Sequence, residues 1–191
     1  MSNGDLDHGG LAFRKLGERS IWQGAVISVA AGTFLGPAGE RFEREVVHHP
    51  GAVVVVPLLD NNRVLLVCQY RAAVDAELLE VPAGKRDIPE EPPEVTASRE
   101  LAEEVGKAAG SFELLARFHN SPGFSDEMSW CYLARHLSDV PGDLQGLEEQ
   151  HLRLEEVALA DVPRLIATGE IIDAKTIIGL LLAREAIVAR S

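Results

Sequence analysis

Cysteine is scarce in this chain. Cys68 and Cys131 are the only two, and both sit inside apolar, strand-like runs. This excludes a disulfide framework and a cysteine-rich metal site, and it fits buried free thiols in a reducing compartment. Long apolar stretches are missing as well, and nothing approaches the ~20 consecutive residues that span a bilayer. Positive charge is in deficit: 18 Lys and Arg face 30 Asp and Glu, for a net charge of −12. A nucleic-acid backbone or an anionic membrane is therefore excluded as a partner. A small phosphate stays open, because bound cations can reverse the local field. The six histidines show no ligand spacing. His48 and His49 are adjacent in a strand and would point to opposite faces, so all six read as structural or solvent-exposed. Repeats, low-complexity tracts and an interdomain linker are absent. The opening MSNGDLDHGG is polar and acidic, unlike a signal peptide. A soluble, cytoplasmic protein is the expectation.

What is present suffices for one domain with a sizeable core, since the chain has 191 residues. Residues 1–10 read as disordered. Residues 20–29 read as one β-prone run, Gly36-Pro37-Ala38-Gly39 as a turn, and residues 41–49 as the return strand. This hairpin, within a β extension over 11–50, is too long and apolar to stand alone. It is expected to pack on another surface, such as a second subunit. The main domain then spans 51–191. GAVVVVPLL at 51–59 is a buried strand. Asp60-Asn61-Asn62 turns the chain, and 63–70 returns as the partner strand. Residues 78–81, 112–118, 128–134 and 152–157 are further strands, with helices at 161–169 and 173–189. The order predicts an α/β (α+β) fold, a mixed sheet between helical layers.

One stretch organises the rest: GKRDIPEEPPEVTASRELAEEVGK, residues 84–107. On a helix, Glu100 and Glu104 are i, i+4 neighbours with Glu103 beside them, while Ala97, Leu101 and Val105 face the other way. Like charges at this spacing repel, so a cation belongs among them. A hard divalent ion such as Mg²⁺ fits carboxylate oxygens. Pro92 and Pro93 before Glu94 start the helix. Val81-Pro82-Ala83-Gly84 ends a strand in a loop whose carbonyls can join the ligands. The alternative is a solvated acidic helix.

At these residues the chain resembles the Nudix hydrolases. Gly84, Glu91, Arg99, Glu100, Leu101, Glu103, Glu104 and Gly106 match the Nudix box. Two departures stand out. Six residues rather than five separate Gly84 from Glu91, although Glu90 would keep that first spacing; and Lys107 replaces an apolar residue. The resemblance implies the Nudix fold and hydrolysis of a nucleoside diphosphate linked to another group. It implies Mg²⁺, with Mn²⁺ as substitute, held by Glu100, Glu104, Glu103 and the Ala83 carbonyl. Arg99 would tie helix to loop, and Glu91 would be structural.

Outside the box the chain is similar to the ADP-ribose pyrophosphatase branch. The one-residue insertion followed by EPP, the loop SPGFSDE at 121–127 and GEIIDA at 169–174 carry that similarity. By this resemblance the substrate is ADP-ribose, cleaved to AMP and ribose 5-phosphate. GDP-mannose or UDP-glucose is the alternative substrate, and a non-catalytic nucleotide-sugar sensor is the alternative class. The loop, mobile through Pro122-Gly123 and the small residues around Phe124, would carry Glu127 as general base over the substrate, with Asp126 behind it. Arg71 and Arg44 would contact phosphate or substrate, or serve as surface charges. Trp22 would stack on adenine, or pack in a core or interface. Glu148-Glu149 reads as a solvated acidic turn. In this branch the N-terminal strands are exchanged within a homodimer.

Overall fold

The computed structural model describes residues 12–142 and 149–189. The expected disorder at 1–10 and the acid at Glu148 lie outside the described residues, as does the Glu149 side chain. The chain divides into two compact units. One comprises the chain up to His49 together with Ser121–Glu127; the other comprises Pro50–Asn120 and Met128 onward.

The first unit is a three-stranded antiparallel sheet of β1 (Arg14–Gln23), β2 (Ser28–Leu35) and β3 (Arg41–His48), in that order. The single run expected over 20–29 is two strands. Gly24 breaks it, its N–H donating to the Ile27 carbonyl at 2.9 Å. The run holds no Pro, Asn or Asp to mark that turn, so the expected hairpin is a three-stranded sheet. All ten residues of β1 are exposed. Residues 121–127 hydrogen-bond to the end of β3. Val47 N–H donates to the Phe124 carbonyl at 2.7 Å, and Asp126 N–H donates back to the Val47 carbonyl at 3.1 Å.

The second unit begins with β4 (Ala52–Pro57), buried at every residue. Then come β5 (Arg63–Arg71), β6 (Ala76–Glu80), β7 (Ala83–Lys85), α1 (Pro93–Val105), β8 (Lys107–His119) and β9 (Met128–Asp139). After these follow β10 (Arg153–Ala158), α2 (Val162–Ala167) and α3 (Ala174–Val188). One sheet has the order β7-β4-β9-β8, with β4 and β9 parallel; the other is β10-β5-β6. β5 is thus not the ladder partner of β4, contrary to the sequence expectation. A tight turn joins them through a single Leu58–Val64 bridge. Both edges of β4 are already taken, by β7 and β9, so β5 pairs with β6 and β10.

Alternation along the strands sends side chains to two cores. Val53, Val55, Leu65, Val67, Tyr132 and Ala134 pack with Ala97, Leu101 and Val105 of α1. Val54, Val56, Val64, Leu66, Cys131 and Leu133 pack with α2 and α3. The sheets therefore lie between helical layers, as the pattern predicts.

Candidate active site

The acidic helix is aimed by its ends. Pro93 stands at the first helical position and Glu94 in the first turn, where an acid suits the helix dipole. Gly106 ends the helix with φ +66°, a left-handed conformation natural to glycine. A Cβ there would lie 3.2 Å from the Val140 carbonyl. With Leu101 and Ala97 fully buried beneath it, the helix has one register available.

That register turns Glu100 and Glu104 toward β7. Residues 83–85 form an edge strand rather than a loop. Val55 N–H bonds the Pro82 carbonyl, and Arg86 N–H bonds the Gly51 carbonyl. In an antiparallel ladder this alternation turns the polar groups of Ala83 away from β4. Ala83 N–H accordingly donates to Glu104 Oε2 at 3.1 Å. The Glu100 carboxylate lies against the next residue, since a Cβ on Gly84 would fall 1.8 Å from Glu100 Cδ. Two carboxylates thus converge on two adjacent backbone residues. Burial pushes the Glu100 carboxyl up to about 7; Arg99 opposes this, while Glu103 and Asp87 add to it.

Arg99 sits among the acids. Its Nη1 is 2.9 Å from Glu100 and 3.0 Å from Glu103, and its Nη2 is 3.5 Å from Asp87 and 3.7 Å from Glu91. Glu91, not Glu90, turns inward. Thr96, fully buried, donates its hydroxyl to Glu91 Oε2 at 2.7 Å, and Arg86 Nη2 donates to the Glu91 carbonyl. Glu90 takes the extra residue of the loop in a left-handed conformation, φ +64°.

Among the described residues no group of three or more His, Cys, Asp or Glu side chains is gathered closely enough to hold a metal ion. Glu103 is drawn to Arg99 and Glu104 to the backbone. The donors that do converge, two carboxylates beside an outward-facing carbonyl edge, are the hard oxygens a divalent cation prefers. Their chemistry fits such an ion once Arg99 yields Glu100.

The other expected residues are placed as follows. Arg71 ends β5 and forks onto the buried Glu80 with two bonds of 2.8 Å. The first unit holds the remainder. Trp22 and Phe124 are exposed. Arg44 lies over the Phe42 ring, 4.9 Å from its centroid, and donates to the Glu43 carbonyl. Glu127 Oε1 is 3.8 Å from His49 Nδ1. Asp126 accepts from His49 N–H at 2.9 Å and pairs with His48 Nδ1 at 2.5 Å. Sequence reasoning missed Glu80, Thr96 and Lys175. The available signal for Glu80 was an acid inside an apolar strand, AELLEV, where burial demands partners.

Residues 48–178 match the NUDIX domain family. The chain belongs to that family. It is 36% identical over 163 residues to the ADP-ribose pyrophosphatase of Bacillus subtilis, covering 85% of this chain and 88% of that one. The ADP-ribose pyrophosphatase of Mycobacterium tuberculosis is likewise 36% identical, over 88% of this chain and 82% of its own. A methanol dehydrogenase activator of Bacillus methanolicus is 36% identical over 84% and 86%. Among solved structures, an ADP compounds hydrolase superposes with a TM-score of 0.80 at 23% identity, over 94% of this chain and 96% of that one, a likeness of fold. Nudix hydrolases generally use a divalent metal. No helix among the described residues is long and apolar enough to cross a membrane.

Proposed function

We propose that this protein is a cytoplasmic Nudix hydrolase that cleaves the diphosphate of ADP-ribose to AMP and ribose 5-phosphate. The observation that carries this reading is the convergence of Glu100 and Glu104 on Ala83 and Gly84. The similarity to two ADP-ribose pyrophosphatases over most of the chain selects the substrate. Glu100, Glu104 and the Ala83 carbonyl would hold Mg²⁺, or Mn²⁺ in its place, with Glu103 joining them when Arg99 moves. When bound, the cation neutralises charge on the diphosphate and activates water.

The chain's own groups do the rest. Arg99 and Glu91 brace the helix against its loop. Arg71 binds phosphate oxygen. Trp22 stacks on adenine, and Arg44 and Phe124 border the substrate. Glu127 takes the proton of the attacking water. Asp126, whose carboxylate bonds the His48 ring and the His49 N–H, stands behind it as the second candidate. The extension over 11–50 joins two copies by exchanged N-terminal strands, a reading supported by the exposure of every β1 residue.

Incubation with ADP-ribose, GDP-mannose and UDP-glucose, with and without Mg²⁺, tests this. The expected result is metal-dependent release of AMP from ADP-ribose at the highest kcat/KM. Preference for either other sugar nucleotide would reassign the substrate. Tight binding without turnover of any of the three would make the protein a sensor.

A further inference from the structure

Glu80, at the end of β6, is 1% exposed and accepts three charge-assisted bonds. Arg71 Nε donates to Oε1 and Arg71 Nη2 to Oε2. Lys175 Nζ, from the first turn of α3, donates to the same Oε2. Two cations from two elements thus meet on one carboxylate oxygen. Lys175 is held in turn by Asp173 Oδ1 at 2.8 Å. Asp173 caps α3, its Oδ2 accepting from the Thr176 N–H at 2.9 Å and hydroxyl at 2.6 Å. The Thr176 oxygen accepts from Val81 N–H at 3.0 Å, locking the helix start to the residue after Glu80.

A buried ionic group is a poor device for stability, since apolar residues of like volume often do better. Orientation is what the arrangement supplies. Glu80 uses one edge of the Arg71 guanidinium, and Nη1 takes no part in these bonds. Arg71 is about one-third exposed, at 36%, and Lys175 keeps 16%. Arg71 also lies in the field of Glu104, which bonds Ala83 three residues along the chain from Glu80.

We infer that Glu80 is a positioning residue, holding Arg71 and Lys175 side by side as a two-cation cradle for the phosphate oxygens of a diphosphate. Lys175 is thereby a second anion contact beside Arg71. The assignment rests on the diphosphate-hydrolase reading for its ligand, but its test does not need turnover.

Calorimetric titration of the full chain with inorganic pyrophosphate, without added divalent metal, separates positioning from simple charge. Glu80→Gln removes a negative charge beside two cations, so charge alone makes pyrophosphate bind more tightly. Positioning makes it bind more weakly, by about tenfold. Lys175→Met should weaken binding by about as much. Arg71→Lys, which keeps the charge and loses the fork, should do so too. With ADP-ribose as substrate, Glu80→Gln should raise KM about tenfold while kcat falls less than about threefold. Unchanged or tighter pyrophosphate binding by Glu80→Gln overturns the assignment. Should that variant fail to fold, wild-type affinity in Lys175→Met overturns it instead. A wild-type chain that binds no pyrophosphate sinks the cradle. One that binds pyrophosphate yet cleaves no ADP-ribose sinks the hydrolase reading and leaves the cradle standing.

Discussion

Gly84 shows most directly how a single residue conditions the site. Glycine here is a matter of space, since the Glu100 carboxylate occupies the volume a Cβ would need. Gly84→Ala should therefore lower kcat at least about a hundredfold by displacing Glu100. Its melting temperature should change little, because strand β7 lies at a sheet edge. Activity assays with thermal melts check both halves, and a fully active Gly84→Ala would mean that Glu100 does not work from this position. Glu104→Gln keeps size and shape and removes one ligand charge. Its kcat should fall by about three orders of magnitude at normal stability. Near-normal rates would dismiss Glu104 as a ligand. Glu127→Gln should depress kcat about a hundredfold while metal affinity, measured by calorimetry, is retained. Equal rates would take Glu127 out of the proton transfer.

Between elements, the clearest coupling within the first unit is His48. Its imidazole lies between Asp126 of the 121–127 segment, 2.5 Å from Nδ1, and Glu18 of β1, 3.1 Å from Nε2. Both neighbours accept, so both nitrogens are satisfied only in the protonated ring. The bond to Asp126 raises the His48 pKa above its ordinary 6.5; burial works against this, and Glu18 adds to it. A raised folded pKa makes this contribution complete below about pH 6.5 and lost as pH rises through the folded value. A partly exposed pair is worth on the order of 1 kcal/mol or less, so the effect is on the segment more than on the fold. An NMR titration of His48 should give a midpoint above 6.5 that drops in Asp126→Asn. The hydrogen-exchange protection factor of the Asp126 amide, with the base-catalysed rise of intrinsic exchange divided out, should fall as pH rises through the His48 midpoint. A His48 midpoint at or below 6.5 would dissolve the tie.

For the whole molecule, the exposure of β1 and of Phe13 just before it is the feature that a lone chain leaves unexplained. Phe13, Leu16, Ile21 and Trp22 are each at least 40% exposed, an apolar density that marks interfaces more often than free surface. Light scattering should give twice the chain mass. Replacing Leu16 and Ile21 with Ser should shift the protein toward monomer and lower kcat/KM at least about tenfold if Trp22 serves the neighbour's substrate. A wild-type monomer with full activity would refute the exchanged dimer.

The helix, its register and the acids it carries were legible in the residues alone, but not that Arg99 would draw Glu103 aside and leave two acids rather than three to converge. A 3.6-residue period is a local property, and RELAEEVG carries both faces within eight positions. β4 was legible for a like reason, through its run of valines, whereas β1 and β2 read as one run and β7 as a loop. What tertiary structure decided was partnership. β5 leaves β4 because β4 has no free edge. The segment 83–85 becomes a strand because β4 offers it a ladder. Arg71, Glu80 and Lys175 meet although Glu80 and Lys175 are 95 positions apart. A sequence states which groups a chain owns and which face they share, while the choice among distant partners depends on which edges and carboxylates folding leaves unsatisfied.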